Sequence, residues 1–272
     1  MNLVSVVIPI YQETLNKFEV IALEQCFKIL RNYEIKFICP KYLENTNFHF
    51  LQKKRADFVF LNDENFKSIA SYNHMMLSPW FYKMFVDYKY ILIYQLDCFV
   101  FQDNLVFWTE QKYSYLGAPW FKENSGDFNE EKFEFDGVGN GGLSLRNVKD
   151  CLMVLKSNRK IKSLKDCIFI QNNKYNYWLI IKGINRYLKK HSFKSIKYDS
   201  TTNEDKVFSS ASKRFKGFNI PSPEVASQFS FEVNPDLLYK QNNNQLPFGC
   251  HAWHKYNLEF YIPFLSEYGY KL

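Results

Sequence analysis

Two acidic segments of this 272-residue chain have the residue types that chemistry at a hydroxyl or a phosphate requires. The first is Tyr90–Asp97, where a strand-like run passes straight into Gln95-Leu96-Asp97. A carboxylate at a strand end can serve as a cap or pair with a cation. It can also hold Mg²⁺ or Mn²⁺ against a nucleotide diphosphate, whose departure concentrates negative charge that the metal spreads. The second is Asn203-Glu204-Asp205, at the start of a helix expected over Lys206–Ser212. Acids favour a helix N-terminus on electrostatic grounds alone. A carboxylate partly removed from water can also take the proton of an attacking hydroxyl. Asp205 would then be the base and Glu204 an acceptor clamp, or the two roles would be exchanged.

Two further segments accompany them. Gly137-Val138-Gly139-Asn140-Gly141-Gly142 reads either as a tight turn or as a place where backbone N–H groups approach a ligand closely. It has no Gly-Lys-Ser/Thr, so it is not a P-loop. It neither follows the first strand nor opens the first helix, so it is not the dinucleotide fingerprint. Asn140 adds an amide suited to sugar hydroxyls. In Phe248-Gly249-Cys250-His251-Ala252-Trp253-His254 the two histidines have the spacing of a helical chelate, but the glycine and the aromatics favour a turn. One histidine completing a metal or diphosphate site begun by Asp97 is the better reading than a separate zinc site.

The elements that must position these groups are legible in the first hundred residues. Leu3–Ile8 is an apolar, β-branched run closed by Pro9, as a buried parallel strand should be. Residues 16–31 read as a helix capped by Asn16, with Val20, Leu23, Phe27 and Leu30 at helical spacing. Ile35–Cys39, Phe58–Leu61 and Tyr90–Tyr94 are further strands, and Asn65–Asp87 is helical with a break at Ser78-Pro79. Such alternation predicts a doubly wound, mostly parallel sheet, in which ligands bind beyond the carboxyl ends of the strands. Pro9-Ile10-Tyr11 and Gln95–Asp97 both lie at such ends. Beyond them come a short strand over Tyr113–Leu116, an acidic loop over Asn124–Phe135 and a helix over Asn147–Lys156. Gly217–Leu272 shows little periodicity.

Composition narrows the class. Hydrophobic residues make up 46%, enough to offset ordering entropy by burial and to exclude a disordered chain. The 27 Phe and 19 Tyr serve core packing and a coding bias, or stack on sugars in a cleft. The net charge of +7 is uneven, with twelve basic residues and one acid, Asp166, over 151–197. That stretch is a solvated helical face or a contact for an anionic partner such as a membrane surface. No zinc-finger or RNP-like pattern accompanies it, so nucleic acid is not expected. The six cysteines have no metal-ligand or redox spacing and imply a reducing compartment. The first residues read as a strand rather than a signal peptide, and no apolar run has the length of a membrane span. A cytoplasmic protein, peripheral at most on the inner face of the membrane, is expected.

The ordered series Pro9-Ile10-Tyr11, Ser71-Tyr72-Asn73-His74, Tyr94-Gln95-Leu96-Asp97, Leu116-Gly117-Ala118-Pro119-Trp120, Gly139–Arg146, Asn203-Glu204-Asp205 and Pro247–His251 resembles a poorly characterised bacterial family. That family is a domain of unknown function taken to be GT-A-like, and the match spans nearly the whole chain. The layout is also similar to that of inverting β1,4-galactosyltransferases, with an Asp-x-Asp strand end, a Gly-Gly-x-Ser segment, a Glu-Asp pair and a later His in that order. The likeness implies that Asp97 and His251 hold Mn²⁺ or Mg²⁺, that Gly141 and Gly142 face the donor sugar, and that Asp205 is the base. Phe99 departs from it by standing where the second Asp belongs, with Asp103 farther on. A positive side chain such as Arg146 or Lys255 is the alternative partner for a diphosphate.

The fold expected is α/β and GT-A-like, a Rossmann-type, mostly parallel central sheet flanked by helices with an irregular C-terminal acceptor-side half. One domain would cover 1–272, with a nucleotide-binding half over 1–110 and an acceptor-binding half over 111–272. The expected activity is sugar transfer from a nucleotide-diphosphate sugar to a hydroxyl of a bacterial surface glycan or a lipid-linked acceptor. Pro9, Ile10, Tyr11, Tyr72, Asn73, Gln95, Asp97, Asn140, Gly141 and Gly142 would bind the donor. Trp120 and Glu204 would bind the acceptor, Trp120 by stacking on a sugar. Two alternatives are nucleotidyl transfer to a sugar phosphate and non-catalytic glycan binding on a retained fold. The former calls for a Gly-rich basic loop after the first strand, where Ile10-Tyr11-Gln12-Glu13 stands instead.

Overall fold

The computed structural model describes residues 2–48, 56–122, 133–161, 192–198 and 202–272, with five isolated positions between 178 and 187. Most of the basic stretch 151–197 and residues 124–132 of the acidic loop lie outside the described residues.

The nucleus of the fold is β1 (Asn2–Pro9), buried from Val4 onward. α1 (Lys17–Ile29) follows, its first turn closed by a capping box in which Asn16 accepts from the Phe18 and Glu19 amides and Glu19 reaches back to the Asn16 amide. β2 (Glu34–Pro40) and β3 (Asp57–Leu61) extend the sheet in parallel on one side of β1. The helical stretch expected over 65–87 is divided into a 3-10 turn, α2 (Ile69–Met76) and α3 (Pro79–Lys83). Pro79 has no N–H and drives Ser78 into an extended backbone (φ −96°, ψ 128°), which ends one helix and starts the next. β4 (Tyr88–Tyr94) then returns to the other side of β1, again in parallel.

After β4 the chain turns through Gln95–Asp97 into β5 (Cys98–Val100), α4 (Leu105–Glu110), β6 (Tyr115–Leu116) and the ribbon of β7 (Pro119–Phe121) and β8 (Phe135–Val138). β9 (Leu143–Asn147) re-enters the main sheet antiparallel to β4 and β6, giving the order β3-β2-β1-β4-β9-β6. Residues beyond 110 therefore complete the same sheet that the first hundred begin. α5 (Val148–Leu155) and α6 (Glu204–Ser212) pack on one face, where Val7, Ile91, Phe81, Val154 and Phe208 form a buried cluster. α1 covers the other face with Val6, Leu92, Leu23 and Cys26. The five described cysteines are buried free thiols, and Cys167 lies outside the described residues.

The aperiodic C-terminal stretch is built of short pieces: α7 (Pro223–Phe229), β10 (Ser230–Phe231), α8 (Pro235–Gln241), β11 (Gly249–His251), α9 (Trp253–Tyr256) and α10 (Leu258–Glu267). Elements of two to ten residues are too short to show periodicity. They close over a third buried cluster around Phe99, Trp253, Tyr261 and Leu265. β11 pairs antiparallel with β5, setting His251 opposite Cys98. That register carries a residue from the end of the chain to the strand end at Asp97. No described helix is long and apolar enough to cross a membrane.

Candidate active site

A cleft of about 830 Å³ opens at the carboxyl ends of β1 and β4, the point where strand order reverses about β1. Every residue expected at the site lines it: Pro9, Ile10 and Tyr11 beyond β1, Tyr72 and Asn73 on α2, Gln95 and Asp97 beyond β4, Trp120 on β7, Asn140, Gly141 and Gly142, Glu204 and Asp205 on α6, and His251 on β11. Three helices present N-terminal residues there, namely Asn16 before α1, Ser68 before α2 and Asn203 before α6. The positive dipole end of each favours an anionic ligand.

The glycine turn forms the floor, and its glycines make room for side chains. Gly139 lies under the Trp120 indole, Gly141 against the Glu204 carboxylate and Gly142 against the His251 ring; a Cβ at these positions would stand 1.7, 2.2 and 2.1 Å from those groups. Asn140 adopts a left-handed backbone (φ 69°) that is uncommon outside glycine. Its Oδ1 accepts from the Gly142 amide (3.0 Å) and its carbonyl from the Tyr115 hydroxyl (3.0 Å), which holds the turn in that shape. The turn is tied to the strand end by the Gln95 amide, which donates to the Gly142 carbonyl (2.9 Å).

Asp97 is held from both sides. His251 Nε2 lies 3.2 Å from Asp97 Oδ1, and Lys255 Nζ donates to Oδ2 at 2.7 Å. On its far side His251 Nδ1 meets Glu232 Oε1 at 2.9 Å. Burial works to raise the Asp97 pKa, but His251 and Lys255 hold it well below the carboxylate range. Burial likewise works against a charged His251, yet Asp97 and Glu232 outweigh it and push the imidazole up to about 9. The segment 248–254, expected as a turn, is a strand that passes through a left-handed Ala252 (φ 51°) into α9. That reversal aims His251 and Lys255 at the same carboxylate. His254 stands apart from the pair and stacks on Phe18, with ring centroids 4.7 Å apart, so the two histidines form no chelate.

Beside this group the two acids of α6 have different surroundings. Glu204 is buried, and its Oε1 accepts from Arg146 Nη2 at 2.8 Å. Arg146 is wholly buried on β9, where Nη1 donates to the Tyr82 hydroxyl (3.0 Å) and Nε to Ser144 Oγ (2.9 Å), with the guanidinium over the Tyr115 ring. It is therefore a support beneath the site, and the alternative placing it on a diphosphate is corrected: the guanidinium is wholly buried, and four of its five N–H groups go to Glu204, Tyr82, Ser144 and the Gly141 carbonyl. Asp205 is partly exposed, with Oδ2 accepting from the Asn140 amide (3.1 Å) and Oδ1 from the Lys206 amide (2.8 Å). Burial raises its pKa above the usual carboxylate value despite these bonds. Asn73 Oδ1 accepts from the Glu204 amide (3.4 Å), so α2 helps to set the start of α6. Asn140 Nδ2 and Glu204 Oε2 have no hydrogen-bond partner and belong to residues that line the cleft. Such buried atoms cost about 1–3 kcal/mol each, a cost that a ligand hydroxyl would relieve.

Sequence reasoning missed Glu232, a lone carboxylate in the aperiodic segment with no spacing signal; only the pairing of β10 with β11 brings it beside His251. It also missed the cleft contributions of Asn16, Glu19, Phe66 and Ile69. Phe99 points into the third core cluster, and Asp103 accepts from the Tyr33 hydroxyl (2.9 Å), so neither joins Asp97.

No curated protein matches the sequence. Among solved structures, the galactosyltransferase LgtC in complex with donor and acceptor sugar analogs superposes with a TM-score of 0.50 at 12% identity, over 97% of this chain and 94% of that one. Mouse xyloside xylosyltransferase 1 in its apo form gives 0.49 at 9% identity, over 92% and 97%. The mostly parallel sheet flanked by helices is the GT-A glycosyltransferase fold. The family model described as "Protein of unknown function (DUF5672)" matches residues 55–251, and the chain belongs to that family.

Proposed function

We propose that the chain is a glycosyltransferase that moves a sugar from a nucleotide-diphosphate sugar to a hydroxyl of a bacterial surface glycan or glycolipid, with inversion. The observation that carries this reading is the convergence in one cleft of Pro9–Tyr11, the Asp97–His251 pair and Asp205, drawn from four distant parts of the chain. The nucleotide sits by Pro9, Ile10 and Tyr11, with Tyr72, Asn73 and Gln95 along the donor. Asn140, Gly141 and Gly142 face the donor sugar, and Trp120 stacks on the acceptor.

Asp205 takes the proton of the acceptor hydroxyl as that oxygen attacks the anomeric carbon. The bond from that carbon to the diphosphate breaks, and its electron pair leaves with the phosphate oxygen. Two backbone amides fix the Asp205 carboxylate, and its raised pKa makes it a stronger base than an exposed aspartate. Glu204 offers its free Oε2 to an acceptor hydroxyl while Arg146 holds its other oxygen. Asp97 Oδ1 and His251 Nε2 have each other at 3.2 Å and no other partner, with Glu232 behind the imidazole, so two protein donors face the cleft here. Mn²⁺ or Mg²⁺ calls for a set of several oxygen donors, which one carboxylate oxygen and one imidazole nitrogen do not make, so the charge of the departing diphosphate needs a cation from elsewhere in the cleft. A lipid-linked acceptor would bring the basic stretch 151–197 to an anionic membrane surface.

A thermal-shift screen of nucleotide-diphosphate sugars, with and without Mn²⁺, tests the reading. At least one donor is expected to raise the melting temperature by mass action, followed by donor turnover. A full donor panel that leaves the melting temperature unmoved would sink it.

A further inference from the structure

We infer that Lys255 is the cation that meets the donor diphosphate, so that this chain binds a nucleoside diphosphate without a divalent metal. The inference rests on the glycosyltransferase reading above and deepens it.

A metal site of the Asp-x-Asp type needs a second carboxylate close to the first. Here that position is Phe99, buried on β5 against Trp253, Tyr268 and Tyr270, with ring centroids 6.1, 5.5 and 5.8 Å away. An acid there would be desolvated among aromatic rings, with no cation beside it to offset the loss. Among the described residues no cluster of three His, Cys, Asp or Glu could hold a metal ion. The protein donors available to a cation at Asp97 are thus one carboxylate oxygen and one imidazole nitrogen.

The second oxygen of Asp97 is already matched by a permanent positive charge. Lys255 reaches it at 2.7 Å, on the opposite oxygen from His251. The lysine side chain is 58% exposed and Asp97 only 15%. An ion pair with so exposed a partner contributes little to folding, so stability is a poor reason for it. What the pair does is park an ammonium group in the cleft, close to Tyr11. Lysine presents a compact charge with three donors on a flexible stem, so it can keep Asp97 and still donate to phosphate oxygens. The α2 N-terminus at Ser68 lines the same cleft, and its dipole adds to the attraction for an anion.

The left-handed Ala252 makes this placement possible. It turns the chain sharply between β11 and α9, so that residues 251 and 255 both face Asp97. Lys255 thus stands at the charge that an Asp-x-Asp metal would occupy in function, reached from the other end of the chain.

The test is calorimetric titration of UDP, GDP and CDP into the full chain, in EDTA and again in Mn²⁺. One of these diphosphates is expected to bind in EDTA within about threefold of its affinity in Mn²⁺, and Lys255→Gln is expected to weaken that binding by about tenfold or more, the worth of one charge-assisted contact. Circular dichroism and the melting temperature of the variant should match the parent, because the side chain is exposed. Binding that requires Mn²⁺, or that Lys255→Gln leaves unchanged, overturns the role of Lys255 and leaves the glycosyltransferase reading standing. No binding of any diphosphate in either buffer overturns that reading itself, and this inference with it.

Discussion

Gly142 lies so close to the His251 imidazole that a Cβ on residue 142 would stand 2.1 Å from Nε2. The glycine is therefore a steric requirement of the histidine's position beside Asp97. Gly142→Ala is expected to push the ring away, weakening nucleoside-diphosphate binding by about tenfold and destabilising the fold by about 1–3 kcal/mol, as overpacking does. Calorimetry and urea unfolding measure the two effects. Gly217→Ala, where a Cβ meets nothing within 4 Å, is the control and should change neither.

Asp205 has the surroundings of a base. Asp205→Asn keeps the size and an acceptor oxygen for one of the Asn140 and Lys206 amides but removes the proton acceptor. Turnover is expected to fall by about 10²–10⁴-fold with donor affinity kept within a few fold. Burial raises the Asp205 pKa above 3.8, so the acid limb of the parent pH–rate profile should lie above that value. An unchanged turnover number in the variant would remove Asp205 from the chemistry.

Arg146 and Glu204 form a buried ion pair whose halves depend on each other. Arg146→Met leaves Glu204 unpaired under Gly141 and is expected to cost about 3–5 kcal/mol in urea unfolding. Arg146→Met combined with Glu204→Leu removes both charges and should recover most of that loss, while activity stays lost. A double variant no more stable than Arg146→Met alone would show that the pair is not coupled.

Stability should depend on pH through Asp97 and His251. Burial works to lower the His251 pKa, but Asp97 and Glu232 raise it from 6.5 to about 9. A raised pKa means the folded state holds the proton more tightly. Its contribution is full below pH 6.5 and is lost as the pH rises through about 9. Asp97 is depressed, so its contribution is present above 3.8 and lost on acidification. In EDTA the free energy of unfolding in urea should fall between pH 6.5 and 9 by on the order of 3 kcal/mol in the parent, and much less in His251→Gln.

Much of the first hundred residues was readable in advance, because each element there carries its own local signal. Asn16 caps α1 as expected, Pro79 divides the helices, and β1, β2 and β4 are continuous apolar runs, the mark of strands covered on both faces. The strand ends at Tyr11 and Asp97 followed from that alternation. The C-terminal stretch was not readable, since its strands of two and three residues are defined only by their partners. Glu232 and the Ala252 turn belong to that class.

The linear order of residues settled which groups exist and that Pro9–Tyr11 and Asp97 share one sheet edge, because strand and helix propensities act over neighbouring residues. It left open which acid of Glu204-Asp205 the protein itself ties down and which cations meet Asp97. Folding decided both through contacts between distant segments. Arg146 on β9 takes up one oxygen of Glu204, and the pairing of β11 with β5 sets His251 and, one short helix later, Lys255 against Asp97. Burial then fixed the charges, since a carboxylate's basicity depends on what surrounds it in space and only weakly on its neighbours in sequence.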